Sequence, residues 1–168
     1  MIGRQVPNTE FIFREGGEFV KRTSKDLFDN KRVVIFSLPG AFTPTCSAYQ
    51  LPGFEQCYDE ISDYGIDDIF CLSVNDAFVM NAWADNQQIE KVMLVPDGNG
   101  SFTRLLGMEV TKLNVGFGSR SWRYAAVVQN GLIEAWFEEP GRQDEATEDP
   151  YGETSPEAVI AYLQSQIS

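Results

Sequence analysis

The chain has 168 residues, 43% hydrophobic and 12% aromatic, enough to bury the core of one domain spanning residues 1–168. Its formal charge of −12 argues against nucleic acid and anionic membrane as partners, because both attract a basic footprint. Histidine is absent and no cysteine pair has ligand spacing, which excludes Ser-His and Cys-His nucleophile pairs and most zinc sites, so neither a metal nor a cofactor is expected. No apolar run approaches the ~18 residues of a membrane span, and the N-terminus lacks the layout of a secretory signal, so a cytoplasmic protein is expected.

In chain order, residues 10–22 read as two short strands around the turn Glu15-Gly16-Gly17-Glu18. Ser24 is placed to cap a short helix through Leu27 and Phe28. The apolar run 32–38 has strand length and the composition of a central buried strand, ended by Pro39-Gly40. A helix is predicted from near Thr45 to about Tyr64, with Leu51, Phe54, Tyr58 and Ile61 on one face. A second buried strand follows at 69–74, then a helix from Asp76 through Met80 and Trp83, and a third strand at 92–95 stopped by Pro96. A short helix at 102–106 ends at Gly107. Segments 123–129 and 132–137 flank Asn130-Gly131, a strong two-residue hairpin signal. The stretch from Glu138 to Glu153 holds seven carboxylates and Arg142, and reads as a solvated loop. Ser155-Pro156 opens a last helix that turns Val159, Ile160 and Leu163 inward. Strands alternating with helices, then a hairpin and a helix, predict an α/β fold with a mixed central sheet flanked by helices.

Three cysteines, Cys46, Cys57 and Cys71, are too few and odd in number for a disulfide framework. Cys46 is the one whose surroundings suggest chemistry. A buried strand delivers it to a proline-framed turn, and it falls in the first turn of a helix, where free N–H groups and the positive end of the dipole favour a thiolate. Thr43, three residues earlier, can hydrogen bond at the sulfur, and Pro39 and Pro44 stiffen the approach. With no histidine in the chain, the cation for such a thiolate must be Arg or Lys. Arg123 opens an apolar strand where a guanidinium is otherwise out of place, and its planar donors suit sulfur and oxygen anions. Arg120 is the nearby competitor and reads as a surface residue.

Pro39, Thr43 and Cys46 form a Pro-x-x-x-Thr-x-x-Cys signature that resembles the peroxiredoxins, and Pro-Gly-Ala-Phe-Thr-Pro-Thr-Cys-Ser resembles their type II, peroxiredoxin-five-like branch. Leu51-Pro52-Gly53-Phe54, Ser73-Val74-Asn75-Asp76, Pro96-Asp97-Gly98-Asn99-Gly100 and Ser121-Trp122-Arg123-Tyr124 extend the likeness over nearly the whole chain. The resemblance implies a thioredoxin-like fold and a thiol peroxidase in which Cys46 attacks a peroxide. It implies that Thr43 and Arg123 hold and polarise the substrate, that the N–H groups of Cys46 and Gly40 bind it, and that Pro39 shields the sulfur from water. Many relatives carry a histidine four residues after the nucleophile, where this chain has Gln50, an amide that cannot carry charge at neutral pH. A homodimer with interface loops near the active site is likewise implied.

The sulfenic acid formed at Cys46 has to be reduced. No cysteine follows Cys71, which excludes a C-terminal resolving thiol. On a continuous helix Cys57 would lie about 16 Å from Cys46, against the ~7 Å Cα limit of a disulfide. Cys71 sits in an apolar strand as core. A one-cysteine cycle is expected, with glutathione and glutaredoxin as reductant by resemblance and thioredoxin as second choice. The alternative is a peroxide sensor that relays oxidation of Cys46 to a partner.

Overall fold

The computed structural model describes residues 1–167, and it opens with an antiparallel hairpin of β1 (Glu10–Glu15) and β2 (Glu18–Thr23). Gly16 and Gly17 supply the two positive φ angles of its turn. Helix α1 (Ser24–Phe28) is capped by Thr23, whose side chain accepts from Asp26 N–H while the Asp26 carboxylate returns a bond to Thr23 N–H. Ser24, the cap expected from sequence, is instead the first helical residue. Its hydroxyl is drawn away to donate to the Pro7 carbonyl at 2.6 Å.

The apolar run becomes β3 (Arg32–Ser37), the middle strand of a five-stranded sheet. Beyond it come a π-helical turn (Cys46–Gln50), α2 (Leu51–Gln56), α3 (Tyr58–Ser62), β4 (Asp68–Ser73), α4 (Ala77–Asn86), β5 (Met93–Pro96) and α5 (Ser101–Leu106). The antiparallel ribbon of β6 (Glu109–Lys112) and β7 (Gly118–Ser121) follows, then β8 (Tyr124–Gln129), β9 (Leu132–Glu138) and α6 (Pro156–Ser165). Sheet order is β5-β4-β3-β8-β9, with β3, β4 and β5 parallel and β8 and β9 antiparallel to their neighbours. This is the thioredoxin-like α/β fold with a mixed sheet that the sequence predicts. Asn130 and Gly131 turn the β8–β9 hairpin with φ of 47° and 79°.

Side-chain alternation divides the core. Val34 and Phe36 of β3 face one layer with Leu51, Phe54, Ile61, Trp83 and Leu163. Val33 and Ile35 face the other, with Phe11, Phe28, Phe102 and Leu106. Phe36 and Phe54, both fully buried, stack with ring centroids 4.1 Å apart. Each such phenyl ring contributes about 1.5–3 kcal/mol by burial, and this pair clamps α2 to the central strand.

Two elements differ from the sequence prediction. The helix predicted from Thr45 to Tyr64 is not continuous: it begins with a π turn and is interrupted at Cys57, which ends α2 and precedes α3. The β6–β7 ribbon was unforeseen, since its strands are four residues each and polar or glycine-containing. Arg123 lies one residue ahead of β8 rather than in it. Ser155 caps α6 by accepting from Ala158 N–H, with Pro156 at the first helical position, as predicted. No helix among the described residues is long and apolar enough to cross a membrane.

Candidate active site

The end of β3 sets the site. After Ser37 the chain turns through Pro39, Gly40 and a buried Ala41, whose N–H donates to Asn75 Oδ1 at 3.0 Å. Phe42 follows with φ of 64°, a left-handed conformation that is strained for a bulky side chain. Helical backbone begins at Pro44, whose missing N–H suits that position. The first helical bond runs from Ser47 N–H to the Thr43 carbonyl. Cys46 therefore lies in the first turn, as expected, and its side chain is fully buried. From Cys46 the coil widens: Leu51 N–H donates to the Cys46 carbonyl, a five-residue step typical of π turns, which recur at functional sites. Trp83 Nε1 donates to Ser47 Oγ at 3.0 Å and fastens this turn to α4.

Arg123 reaches across to the sulfur. Its Nη1 donates to Cys46 Sγ at 3.4 Å and also to Gln50 Oε1, and its Nη2 pairs with Asp149 Oδ1 at 2.6 Å. Burial opposes the charged guanidinium, but Cys46 and Asp149 more than offset it and hold the Arg123 pKa above its ordinary value. Arg123 Nε is buried with no acceptor among the described residues. An orphaned buried donor costs about 1–3 kcal/mol. Thr43 does not bond the sulfur, contrary to the sequence expectation: its hydroxyl donates to the Gly40 carbonyl at 2.7 Å. With that proton committed, its lone pairs are left to accept from a ligand O–H.

The structure adds residues that sequence reasoning missed. The acidic stretch read as a solvated loop returns at its C-terminal end to the site, with Asp149 on Arg123 and the Tyr151 ring 5.9 Å from the guanidinium. Burial pushes the Tyr151 phenol up to about 12, assisted by Glu157. Glu139, itself buried, anchors this return by accepting from the N–H groups of Gly152, Glu153 and Thr154 and from the Thr154 hydroxyl. Thr154 Oγ1 in turn faces Gln50 Nε2 at 3.4 Å. Gln50, standing where the resemblance puts a histidine, thus joins Arg123 to Thr154. Arg120 is not the surface residue expected: half-buried, it donates from Nη1 to the Pro39 carbonyl at 3.0 Å.

All three cysteines are unpaired. Cys71 is buried in β4 within the same core layer as Cys46, and burial raises its thiol well above the ordinary value. Cys57 is half-buried, and its thiol is also raised, by burial first and then by Glu157 and Glu60. A groove of about 300 Å³ bordered by Ala48, Tyr49, Gly53, Tyr151 and Glu157 runs beside the π turn. A larger cleft of about 420 Å³, lined by Ile12, Phe19, Asp76, Phe78 and Asn99 among others, does not include Cys46.

A cysteine in the first turn of a helix, under an arginine with a spare donor and on a thioredoxin-like sheet, defines a thiol-based redox protein. The family described as Redoxin matches residues 2–153. A peroxiredoxin of Rhizobium etli is 53% identical over 171 aligned residues, covering 96% of each chain. Among solved structures, the Plasmodium falciparum antioxidant protein, a 1-Cys peroxiredoxin, superposes with a TM-score of 0.94 at 35% identity, covering 98% of this chain and 99% of its own. Reduced Prx3 from Vibrio vulnificus in complex with hydrogen peroxide does so with 0.88 at 36% identity, covering 97% and 98%. The chain belongs to the redoxin family, as a peroxiredoxin of the peroxiredoxin-five-like type, and its activity is that of a thiol peroxidase.

Proposed function

We propose that the chain reduces hydrogen peroxide and organic hydroperoxides through Cys46 in a one-cysteine cycle reset by glutathione and glutaredoxin. The observation that carries this reading is the Arg123 Nη1 contact with the fully buried Cys46 Sγ. The Cys46 thiolate attacks one peroxide oxygen, the O–O bond breaks, and the departing oxygen takes a proton to leave as water or an alcohol. Sulfur is left as a sulfenic acid. Arg123 stabilises charge on sulfur and on the departing oxygen, while Thr43 and the N–H groups of Gly40 and Cys46 hold the substrate. Pro39 keeps water from the sulfur. A glutathione thiol then displaces water from the sulfenic acid, and glutaredoxin removes the glutathionyl group; thioredoxin is the second candidate reductant.

The one-cysteine cycle is supported by the absence of cysteine after Cys71, by the burial of Cys71 and by the 1-Cys character of the Plasmodium falciparum relative. Exposed Phe42, in the turn that precedes Cys46, supports a homodimer through loops near the site, and Phe78, Leu113 and Val115 are further exposed apolar residues. We place the cycle in the cytoplasm, whose thiol pool supplies such reductants. Full burial of Cys46 favours a second reading, a peroxide sensor, because an external thiol reaches the sulfur only when the turn opens; fast oxidation with slow thiol recycling would distinguish it.

Turnover of hydrogen peroxide and of an organic hydroperoxide is measured with glutathione plus glutaredoxin, and separately with thioredoxin. Cys46→Ser abolishes it, while Cys57→Ser and Cys71→Ser each retain most of it. Absence of turnover with every pairing sinks the enzyme reading. Loss of turnover in a folded Cys57→Ser or Cys71→Ser variant sinks the one-cysteine cycle.

A further inference from the structure

Arg120 is a cation whose partners are unusual for this chain. The formal charge is −12, yet no carboxylate among the described residues pairs with Arg120. Its donors go to two backbone carbonyls, from Nε to Phe117 at 3.2 Å and from Nη1 to Pro39 at 3.0 Å, with the guanidinium 5.0 Å from the Phe117 ring centroid. Gly40 makes the room. Its φ is not in the left-handed region, so the backbone does not demand glycine there, but a Cβ at Gly40 would overlap Arg120 Nη1. Two positions 80 residues apart in sequence are therefore fitted to one another at the mouth of the Cys46 turn.

We propose that Arg120 is a positioning residue of the peroxide site, holding the Pro39 carbonyl so that the Pro39–Gly40 peptide plane presents one orientation to the substrate. That peptide is trans and planar, so fixing its carbonyl fixes the Gly40 N–H, which points the opposite way. The next carbonyl, of Gly40, accepts the Thr43 hydroxyl and so sets which way the Thr43 lone pairs face. The guanidinium thereby orients the Gly40 N–H, one of the groups assigned to the substrate. The half-buried cation also lies within electrostatic reach of Cys46, which partly offsets the lowering of its pKa by burial.

The inference rests on Cys46 being the peroxide-reactive thiol, and the test separates the two. In a Cys57→Ser/Cys71→Ser background, single-turnover oxidation by hydrogen peroxide is timed, and the Cys46 thiolate is titrated by its ultraviolet absorbance. Arg120→Lys keeps the charge but loses the fork that spans two carbonyls. Gly40→Ala keeps Arg120 but displaces it. Both are expected to oxidise about ten- to a hundredfold more slowly, the scale of an ångström-sized misplacement, with the Arg120→Lys thiolate midpoint unchanged. Rates within threefold of the parent in both variants overturn the proposal, as does a rate loss in Arg120→Lys matched by a raised thiolate midpoint, which would make the effect one of charge. If Arg120→Lys does not fold, Arg120→Gln, which loses the fork and whose thiolate midpoint reports the lost charge, is timed in its place, because Gly40→Ala also brings a methyl against Thr43. A parent protein that fails to react with peroxide overturns the assignment of Cys46 itself.

Discussion

Replacing Asp149 by asparagine tests whether the returning loop holds Arg123 by charge. Asparagine keeps the shape and the accepting oxygen, so the change removes mainly the charge of a pair at 2.6 Å. Two unit charges about 4 Å apart at an effective dielectric of about 20 attract by about 4 kcal/mol. The Arg123 side chain is 2% exposed but that of Asp149 is 40% exposed, so solvent screens the pair and the net contribution falls to about 1–2 kcal/mol. With a urea m-value of about 2 kcal/mol/M, the unfolding midpoint should drop by about 0.5–1 M. Released on one side, Arg123 is expected to engage Cys46 less often, slowing single-turnover oxidation about three- to tenfold. Raising the salt should narrow the stability gap between parent and variant, because only the parent has the ion pair to screen. A midpoint and an oxidation rate both unchanged at low salt would refute the reasoning and make Asp149 a bystander.

Glu139→Gln leaves one accepting oxygen where the carboxylate receives three N–H groups and a hydroxyl, and should lower stability by about 1–3 kcal/mol. Hydrogen exchange should accelerate at Gly152–Thr154 while β3 stays protected; unchanged protection at 152–154 would remove Glu139 as the anchor. Away from the site, Arg32 grips Glu134 through two bonds of 2.8 and 3.0 Å, and Tyr162 donates to the same carboxylate at 2.7 Å. The hydrogen bonds from Arg32 hold the Glu134 pKa below its ordinary value, so the stabilisation is present above the unfolded value of about 4.3 and is lost as pH falls through the folded one. Glu134→Gln should therefore be about 1 kcal/mol less stable than the parent at pH 7 and match it near pH 2; a gap that persists in acid would contradict this.

Signals carried by neighbouring residues were legible in the sequence. The continuous apolar run of β3, the Asn130-Gly131 hairpin and the Ser155-Pro156 cap each encode their geometry within a few positions, and the structure places all three as read. Cys46 and Arg123 were legible because each breaks its local pattern, one at a helix start and the other beside an apolar strand. What escaped depends on pairing at a distance. Asp149 looks like any carboxylate in an acidic, glycine- and proline-rich loop, and nothing local marks it as the partner of a guanidinium 26 residues earlier. Arg120 sits in a strand too short and too polar to announce itself, and its partner is a backbone carbonyl, which no side-chain pattern records. A buried carboxylate such as Glu139, at the end of a strand and followed by Pro140-Gly141, reads as loop until the segment it collects is folded against it.

The π turn bears on how this chain tolerates insertion and deletion. In an α-helix each residue advances by about 100°, so positions five apart point about 140° away from each other. Cys46 and Leu51 are five apart, yet both are fully buried, the first beside Arg123 and the second at the start of α2 in the core with Phe36 and Phe54. The widened turn absorbs one residue and lets a single helical segment satisfy two rotational phases, one set by the site and one by the core. Deleting one residue between Ser47 and Gln50 would let ordinary helical winding return with Cys46 and Leu51 four apart and about 40° from each other, whereas adding one more would force a choice between them: keep the packing of Leu51 and Phe54 and swing the sulfur away from Arg123, or keep the sulfur and rotate the apolar stripe into solvent. The length of this five-residue stretch is therefore as much a determinant of the site as the residues that occupy it.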